Sequence, residues 1–430
     1  MAAELHSLYC RTLLGIRQGR GSLNSWLDAE TKRELGADAA RLQAWCYGVC
    51  RWYHRLDAMA ARLLEKPLRN KDQDIHFLIL LGLYQLQFMR TPAHAVLNET
   101  VAAAEALRKP WAKNLINAVL REAQRSQETL LEQSKKDYSH WFSHPDWLLQ
   151  QLKRDWPKHY REILEANNEP APMTLRVNRR MSTCDSYLQE LAAAGIAASA
   201  DPLSPQGVLL AQPCEVRSLP GFAEGKVSVQ DAASQLVAEV LPVSGTQRVL
   251  DACCAPGGKT CALLEAHPEL DVIALDVDAS RLQRVHDNLS RLRLSASVAQ
   301  GDISQQHAFE PASFDAILLD VPCSGTGVIR RHPDIKLLRT PAEVAGLVEK
   351  QRALLEAAWP LLREGGYLLY STCSVLRAEN DEQIAAFVAA HPTAQVLPPE
   401  LPGAMRSEVG TQLFPQVGGH DGFYYALLRK

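Results

Sequence analysis

The first third of the chain has the periodicity of amphipathic helices. Apolar residues recur at intervals of three and four positions from Leu5 to Ile16, from Leu42 to Trp52 and from Ile75 to Leu86. This spacing places them on one face of a helix, and the apolar–polar alternation typical of strands is absent. The pattern predicts an all-α bundle over residues 1–140.

The pattern changes after the segment Pro170-Ala171-Pro172. Residues 174–178 alternate as a strand, a helical stretch follows, and two further short strands are predicted before residue 211. These elements predict a small α+β domain over residues 145–225. The polar side chains at the end of its first strand fit contact with nucleic acid, and they fit a solvated strand end equally well. They are Arg176, Asn178, Arg179 and Arg180.

Strands and helices alternate from residue 226 to the end of the chain. Short apolar runs end at residues 251, 276, 300, 320 and 372, helical patterns lie between most of them, and the last strands are predicted near residues 412–414 and 422–428. Such alternation is typical of a parallel sheet with crossover helices. We therefore predict a multidomain chain whose third domain, residues 226–430, is α/β.

The strand that ends at Asp251 runs into a turn of small residues before a helix begins near Lys259. Glycines in such a turn let the backbone approach a ligand closely. Gly258-Lys259-Thr260 is similar to the end of a phosphate-binding P-loop, but that motif needs a Gly where Cys253 stands. The remaining interpretations are the nucleoside-binding turn of a Rossmann-like domain and an ordinary strand–helix turn.

A nucleoside-binding turn predicts an acidic residue at the end of the next strand. Asp276 ends that strand and lies 18 residues after Gly258, close to the roughly 20 expected for a ribose-binding carboxylate. Asp302 follows the third strand and suits an exocyclic amine such as that of adenine. A single Asp at a strand end could be a helix N-cap, whereas several on one rim favour a site. In the absence of a P-loop, S-adenosylmethionine fits better than ATP or NAD.

Charge is unevenly distributed in a chain of otherwise ordinary globular composition. The 430 residues are 47% hydrophobic and 22% charged, and the net charge is −3, whereas residues 1–140 carry +5. Trp52, Tyr53 and His54 stand among the basic residues of that region. Contact with an RNA backbone and its bases would explain this. A solvated helix surface over core aromatics explains it too, and composition alone favours that second interpretation.

Cysteine spacing and hydropathy exclude several classes of protein. The ten cysteines include no Cys-x-x-Cys pair, so neither a zinc site nor a thioredoxin-type motif is suggested. The N-terminus lacks a signal-peptide pattern, and the longest apolar run, residues 77–88, is too short to span a bilayer. We expect a cytoplasmic protein with reduced thiols, with no metal and no membrane partner.

Two cysteines stand in polar loops that follow strands. Cys323 comes three residues after the strand end at Asp320, and Cys373 directly follows the strand that ends at Thr372. A lone cysteine is more often an inert core residue. Both loops would open onto the same rim of the sheet as the predicted cofactor, so we interpret these two cysteines as candidates for chemistry.

Three motifs now carry a resemblance to a known family. They are Ala255-Pro256-Gly257-Gly258-Lys259-Thr260, Asp320-Val321-Pro322-Cys323-Ser324-Gly325-Thr326-Gly327 and Thr372-Cys373-Ser374. With residues 330–336 and 421–423, they resemble the RNA (cytosine-5)-methyltransferases of the Nol/Nop/Sun family. The helical N-terminus resembles the NusB-like RNA-binding domain of its bacterial Sun/Fmu branch. The resemblance covers nearly the whole chain and implies S-adenosylmethionine as cofactor and small-subunit (16S) ribosomal RNA as substrate.

The resemblance also implies roles for individual residues. C5 of cytosine is a weak nucleophile, and a thiolate that adds at C6 turns the ring into an enamine-like nucleophile. By resemblance, Cys373 is that thiolate and Cys323 assists release of the product. A nucleophile in the Thr-Cys-Ser motif, at Cys373, indicates an RNA substrate rather than DNA. Asp320 would hydrogen-bond the cytosine edge, and Lys259 would lower a thiol pKa or assist that step.

The predicted cofactor contacts lie in the turn and at the strand ends. One residue departs from the family pattern, Cys254, where Ala is usual, and this small-for-small change should be tolerated. The full predicted set is Cys253, Cys254, Ala255, Pro256, Gly257, Gly258, Lys259, Asp276, Asp302 and Asp320.

Two other functions are weighed against this one. Methylation of an exocyclic amine generally uses an Asn/Asp-Pro-Pro-aromatic motif, which Asp320-Val321-Pro322-Cys323 does not match. A non-catalytic RNA-binding or antitermination factor would need only the helical domain, and it would not need the two cysteines. Methylation of another RNA stays open, and the chain is expected to act as a monomer on its RNA partner.

Overall fold

The computed structural model describes residues 2–305 and 309–430. Contacts divide the chain into two units. One comprises residues 1–169 with 329–340, and the other comprises residues 170–328 with 341–430. The helices beyond residue 140 thus group with the bundle, and residues 170–225 group with the α/β part. The three-way division predicted from the sequence stays a prediction.

The first unit is helical, as the apolar periodicity predicts. Its helices are α1 (Ala2–Arg17), α2 (Leu23–Trp26), α3 (Ala29–Leu35), α4 (Asp38–Leu63), α5 (Gln73–Phe88), α6 (Ala93–Ala106), α7 (Ala112–Arg125), α8 (Gln127–Lys135), α9 (Tyr138–Trp141), α10 (Asp146–Asp155) and α11 (Tyr160–Asn168). Helix α5 buries an almost continuous run from Ile75 to Leu83, which is the pattern of a helix enclosed by others. Helices α1, α4, α6 and α7 pack around it.

The aromatic residues considered for base stacking on α4 are used in packing. The ring of Trp52 stacks on Phe88 at 4.7 Å, and the guanidinium of Arg55 lies 4.4 Å from the same indole. Tyr53 is only 8% exposed, and burial lowers the pKa of His54 to about 4. These contacts support the interpretation of core aromatics under a solvated helix surface.

A small antiparallel sheet begins the second unit. Its elements are β1 (Thr174–Val177), α12 (Cys184–Ala193), β2 (Ala198–Ala200), β3 (Gly207–Leu210) and β4 (Val227–Val229), with strand order β2-β3-β1-β4. Strand β4, which has three residues, was not predicted from the sequence. It pairs with β1, Leu175 opposite Val229, and so completes this sheet before the larger one starts.

The remainder of the chain builds the larger sheet and its helices. The elements are α13 (Ala232–Gln235), α14 (Val237–Val240), β5 (Arg248–Asp251), α15 (Gly258–Ala266), β6 (Asp271–Asp276), α16 (Ala279–Leu292), β7 (Ser297–Gln300), β8 (Phe314–Asp320), α17 (Ile335–Leu338), α18 (Pro341–Ala358), β9 (Leu362–Thr372), α19 (Asp381–Ala390), β10 (Gln395–Val396), β11 (Met405–Arg406), β12 (Thr411–Leu413) and β13 (Phe423–Arg429).

The larger sheet is mixed, where the sequence predicted a parallel one. Its order is β11-β12-β13-β9-β8-β5-β6-β7, and β10 also pairs with β13. The five strands β9, β8, β5, β6 and β7 are parallel, but β13 runs antiparallel to β9. The prediction of parallel pairing was wrong for β10 to β13, which are joined by loops and antiparallel pairings and lack the crossover helices that a parallel arrangement requires. Strands β12 and β13 themselves lie where the last strands were predicted, near residues 412–414 and 422–428. The fold is nevertheless Rossmann-like, because the strand order reverses at β5 and opens a crevice there.

Helix α17 belongs to the helical unit although its sequence neighbours belong to the sheet. Asp334 accepts a hydrogen bond from the backbone N–H of Leu23 at 2.9 Å. The ammonium of Lys336 donates to the carbonyl of Arg51 at 2.8 Å and to Asn168 at 2.6 Å. Burial lowers the pKa of Lys336 well below its ordinary value. Residues 330–336, singled out as a motif in the sequence, are therefore residues of this helical packing.

No helix within residues 2–305 and 309–430 combines the length and the apolar content that crossing a membrane would need.

Arg176 was a candidate for nucleic-acid contact, and the structure contradicts this. Its side chain is 3% exposed, and it donates to both carboxylate oxygens of Glu265 on α15 at 2.8 Å. It also donates to the carbonyl of Gly258 at 2.9 Å. Asn178 is equally buried, and Arg179 is paired with Glu239. A buried cation needs such partners, so β1 supports the first turn of α15.

This pair gives a stability prediction. Replacing Arg176 with Met should lower the free energy of unfolding by about 3–5 kcal/mol, because the buried Glu265 carboxylate loses its partner. Arg176→Met combined with Glu265→Leu should recover most of that loss, since no unpaired charge remains. Urea-induced unfolding of the three proteins measures both effects. A double variant as unstable as the single one would contradict this account.

Candidate active site

The turn between β5 and α15 is shaped by one glycine and one carboxylate. Gly257 precedes the helix with φ +93°, a conformation that only glycine adopts without strain. Asp276, at the end of β6, accepts a hydrogen bond from the backbone N–H of Ala255 at 3.1 Å and from that of Asp278 at 3.0 Å. The Ala255–Pro256 peptide bond is cis. The turn predicted from the sequence is therefore tied to the end of the neighbouring strand.

A cavity of about 230 Å³ opens at the carboxyl ends of the parallel strands, and we call it the rim cavity. It lies at the strand-order reversal, where ligands bind in sheets of this type. Seven residues predicted for the site line it: Cys253, Ala255, Asp276, Asp302, Asp320, Cys323 and Cys373.

Other predicted residues lie near the cavity without lining it. Cys254 is 5% exposed and packs in the apolar core beneath the turn, with its N–H bonded to the carbonyl of Leu275. Pro256, Gly257, Gly258 and Lys259 are not among the lining residues either.

Several residues that complete the lining carry no local signal in the sequence. Lys350 and Leu354 come from one face of α18, and Arg281 comes from α16 and donates to the carbonyl of Ala255 at 2.7 Å. Ile303 adds an apolar surface beside Asp302. These side chains lie on ordinary amphipathic helices or in a loop, and only the packing of those elements on the sheet brings them to the rim.

Asp320 is held from two sides. The ammonium of Lys259 lies 2.6 Å from one carboxylate oxygen, and the hydroxyl of Ser371 donates to the other at 2.8 Å. Lys259 is 9% exposed, and its ammonium also lies 5.0 Å from the centre of the Phe423 ring. The partner of Lys259 is therefore the carboxylate of Asp320, whose position this contact defines.

The two cysteines meet at the edge of the rim cavity. Their Sγ atoms are 3.3 Å apart, so that one thiol can donate to the other sulfur. The hydrogen bond to Cys373, together with burial, raises the pKa of Cys323 well above its ordinary value. A thiol with a raised pKa stays protonated, so Cys323 can serve as a proton donor at this edge of the cavity.

The loops that carry the cysteines are joined through the backbone at Gly327. We define the Cys323 loop as residues 321–328 and the Cys373 loop as residues 373–376. The N–H of Gly327 donates to the carbonyl of Cys373 at 2.9 Å, and the N–H of Gly422 donates to the carbonyl of Gly327 at 2.9 Å. A Cβ on Gly327 would lie 2.3 Å from the carbonyl oxygen of Gly422. This close approach explains the glycine of Asp421-Gly422-Phe423 and the last glycine of the Cys323 motif.

Asp251, at the end of β5, is a buried carboxyl group with a free acceptor. The hydroxyl of Thr260 donates to its Oδ2 at 2.6 Å, while Oδ1 has no hydrogen-bond partner among the described residues. Burial, the largest cause, raises the pKa of Asp251 to about 7. An unpaired buried acceptor beside the turn fits a ligand that brings a donor to this point.

Among the residues that the structure describes, no three His, Cys, Asp or Glu side chains cluster as ligands for a metal ion.

The raised pKa of Asp251 predicts a dependence of stability on pH. An unfolded Asp loses its proton near pH 3.9, whereas folded Asp251 keeps it to about pH 7. Over that window the folded chain binds the extra proton, so its free energy of unfolding falls as the pH rises. Asp251→Asn removes this proton. The stability of the variant relative to the parent should therefore increase from pH 4 to pH 7, by at most about 4 kcal/mol.

Urea-induced unfolding of both proteins at pH 5 and pH 8 measures this difference. A difference that is the same at both pH values would show that Asp251 titrates normally.

Comparisons with known proteins agree with the domain types inferred from the sequence. The profile of the 16S rRNA methyltransferase RsmB/F family matches residues 238–429. The profile of the RsmF/B-like ferredoxin-like domain matches residues 144–217, and that of the NusB family matches residues 13–125.

Similar proteins cover the whole chain. It is 50% identical to the ribosomal RNA small subunit methyltransferase B of Pseudomonas putida, over 98% of this chain and 97% of that protein. It is 49% identical to the protein of the same name from Pseudomonas syringae pv. tomato, over 98% of this chain and 95% of that protein. The crystal structure of PH0851 has a TM-score of 0.81, covers 98% of both chains and, at 21% identity, shows a shared fold. Because half of its residues match a relative along nearly the full length, the chain belongs to the RsmB/F family of 16S rRNA methyltransferases.

Proposed function

We propose that this protein transfers a methyl group from S-adenosylmethionine to C5 of a cytosine in small-subunit ribosomal RNA, in the cytoplasm. The observation that carries the proposal is the pair of cysteine sulfurs, 3.3 Å apart at the rim cavity. Exocyclic amine methylation would not need either thiol. The names of the relatives, ribosomal RNA small subunit methyltransferase B, support the class of RNA.

The residues of the rim cavity fit the cofactor. Asp276 suits the ribose hydroxyls and Asp302 suits the adenine amine, while Ile303 and Leu354 offer apolar surfaces to the base. The unpaired oxygen of Asp251 adds a buried acceptor next to the turn. When bound, the cofactor supplies an electrophilic methyl group on a sulfonium.

Cys373 is the proposed nucleophile. Its thiolate adds to C6 of the cytosine, the C5–C6 double bond opens, and C5 gains nucleophilic character. After C5 has taken the methyl group, a base removes the C5 proton and the bond between Cys373 Sγ and C6 breaks, which restores the ring and returns the thiolate. Cys323, whose Sγ lies 3.3 Å from that of Cys373, assists this final elimination.

Asp320 and Lys259 are proposed to act on the cytosine edge. Asp320 accepts hydrogen bonds from the exocyclic amine and from the protonated ring nitrogen, which stabilises the protonated ring that forms as the thiolate adds. Lys259 and Ser371 orient this carboxyl group through bonds of 2.6 and 2.8 Å. The target base must leave its stack to reach the thiol, as in other base-modifying enzymes.

The first experiment is nucleoside analysis of naked small-subunit ribosomal RNA after incubation with the protein and methyl-labelled S-adenosylmethionine. We expect the label in 5-methylcytidine with the parent protein. Cys373→Ala should lose turnover by at least 10³-fold, because no thiolate can add to C6, and it should still bind the cofactor. Cys214→Ala, which changes a half-buried cysteine of the small domain, serves as the control and should stay active.

The outcomes separate the candidate functions. Label in another nucleoside would replace the C5 reaction with amine methylation. RNA binding by the chain with no label in any ribosomal RNA or assembling subunit would favour a non-catalytic RNA-binding factor. Full activity of Cys373→Ala would remove the covalent mechanism.

A second variant tests whether Cys323 acts in product release while Cys373 acts as the nucleophile. Cys323→Ala should accumulate a covalent complex between protein and methylated RNA, because addition by Cys373 proceeds while elimination is slowed. The complex appears as a band of reduced mobility on a denaturing gel, and it should be absent from the Cys373→Ala protein. If Cys323→Ala turned over at the parental rate without such a band, Cys323 would have no part in release.

A further inference from the structure

The two cysteine loops share a contact that the reaction scheme does not use. Glu379 ends a 3-10 turn, Arg377–Glu379, shortly after the Cys373 loop, and its side chain is completely buried. Gly327, Cys373 and Gly422 join the loops through the backbone. Glu379 joins them through side chains, at the residues that directly follow each cysteine.

The carboxyl group of Glu379 accepts hydrogen bonds from both loops. Ser324, next to Cys323, donates its backbone N–H to Oε1 of Glu379 at 2.7 Å and its hydroxyl to Oε2 at 2.5 Å. The hydroxyl of Ser374, next to Cys373, lies at 2.5 Å from the oxygen that also binds the Ser324 hydroxyl. The amide of Gln351 donates to the carboxyl group at 3.0 Å and to the carbonyl of Pro322, the residue before Cys323, also at 3.0 Å.

We propose that Glu379 is a positioning residue that sets the separation of Cys323 and Cys373, an inference that deepens the proposed methyl transfer and rests on it. Each loop is attached to the same carboxyl group one residue away from its sulfur. A shift of either loop therefore breaks a buried hydrogen bond, and a buried polar group left without a partner is unfavourable. The backbone of Glu379 is itself held by the hydroxyl of Tyr370, which donates to its carbonyl at 2.7 Å.

The chemistry of the site explains why a carboxyl group stands here. Two hydroxyls, a backbone N–H and a side-chain amide all direct donors at the same two oxygens. A carboxylate has acceptor sites for all four donors. A glutamine would replace one of the two oxygens with an NH₂ group, which is itself a donor and cannot accept a hydrogen bond from the groups that face it. Glu379→Gln should keep the volume of the side chain while it loosens one of the two loops.

The test uses the rate of disulfide formation to report how close the two sulfurs lie. The full-length protein, without RNA or cofactor, is treated with diamide, and the Cys323–Cys373 disulfide is quantified over time by mass spectrometry of peptides. Each thiol gives up one hydrogen, the two sulfurs join, and the nitrogen–nitrogen double bond of diamide takes up both hydrogens. With sulfurs 3.3 Å apart, the parent protein should form this disulfide faster than any other pair of its cysteines.

We expect Glu379→Gln and Glu379→Asp to slow disulfide formation at least tenfold. The charge of Glu379 contributes to the raised pKa of Cys323, so its loss alone would make that thiol more reactive and would speed the reaction. A slower rate in the Gln variant therefore reports a greater separation. Tyr187→Phe, which removes a partly buried hydroxyl-to-carbonyl hydrogen bond of 3.0 Å in the same unit, controls for general loosening and should stay within twofold of the parent.

Methylation kinetics give the second measurement. Glu379→Gln should lower kcat at least tenfold with KM for RNA within twofold, because the cysteines are displaced while the completely buried residue 379 is not exposed to the RNA. Disulfide formation at the parental rate in both Glu379 variants would overturn the positioning role, whatever the methylation assay shows. A parent protein that methylates no RNA would overturn the proposed function, while the disulfide rates would still decide the role of Glu379.

Discussion

The parallel pairing of β5, β6, β8 and β9 is the constraint on which the site depends. Hydrogen bonds in register bring the carboxyl ends of these strands to one edge of the sheet. Asp251, Asp276, Asp320 and the residue before Cys373 end these four strands. Side chains separated by more than a hundred positions in the chain therefore meet in one cavity, and the reversal of strand order at β5 leaves room for a ligand there.

Around that rim, charged side chains lie in pairs, and each pair holds the elements that carry it in one position. Lys259 and Asp320 form one such pair, and Arg176 and Glu265 form another beneath the helix that follows the turn. Removing charges from water is unfavourable unless each finds its partner. The arrangement therefore tolerates few alternative positions for the turn, and the same is true of the cysteine loops around Glu379. Asp251 is the exception, since one of its oxygens has no partner in the described chain.

The turn and the strand ends could be predicted because their signals are local. The step from Leu250 and Asp251 into Gly257 and Gly258 is visible within ten residues, and the acidic residue at 276 follows at a typical spacing. Strand β4 and the antiparallel direction of the last strands could not be predicted in this way. The direction of a strand is set by the neighbour with which it pairs, and β13 pairs antiparallel with β9 through residues about fifty to sixty positions earlier in the chain.

The sequence by itself determined the classes of the domains, the turn between β5 and α15 and the two candidate cysteines, because apolar periodicity and motif spacing act between near neighbours. Only the tertiary structure decided that Arg176 lies buried against Glu265 and that Lys350 and Leu354 line the cavity. The packing of residues 329–340 with the helical unit was also decided there. It also decided that Glu379 joins the two cysteine loops. These contacts link side chains that are distant in sequence, so no local pattern of residues predicts them. The free energy that favours them comes from burial and from hydrogen bonds that form only when the chain is packed.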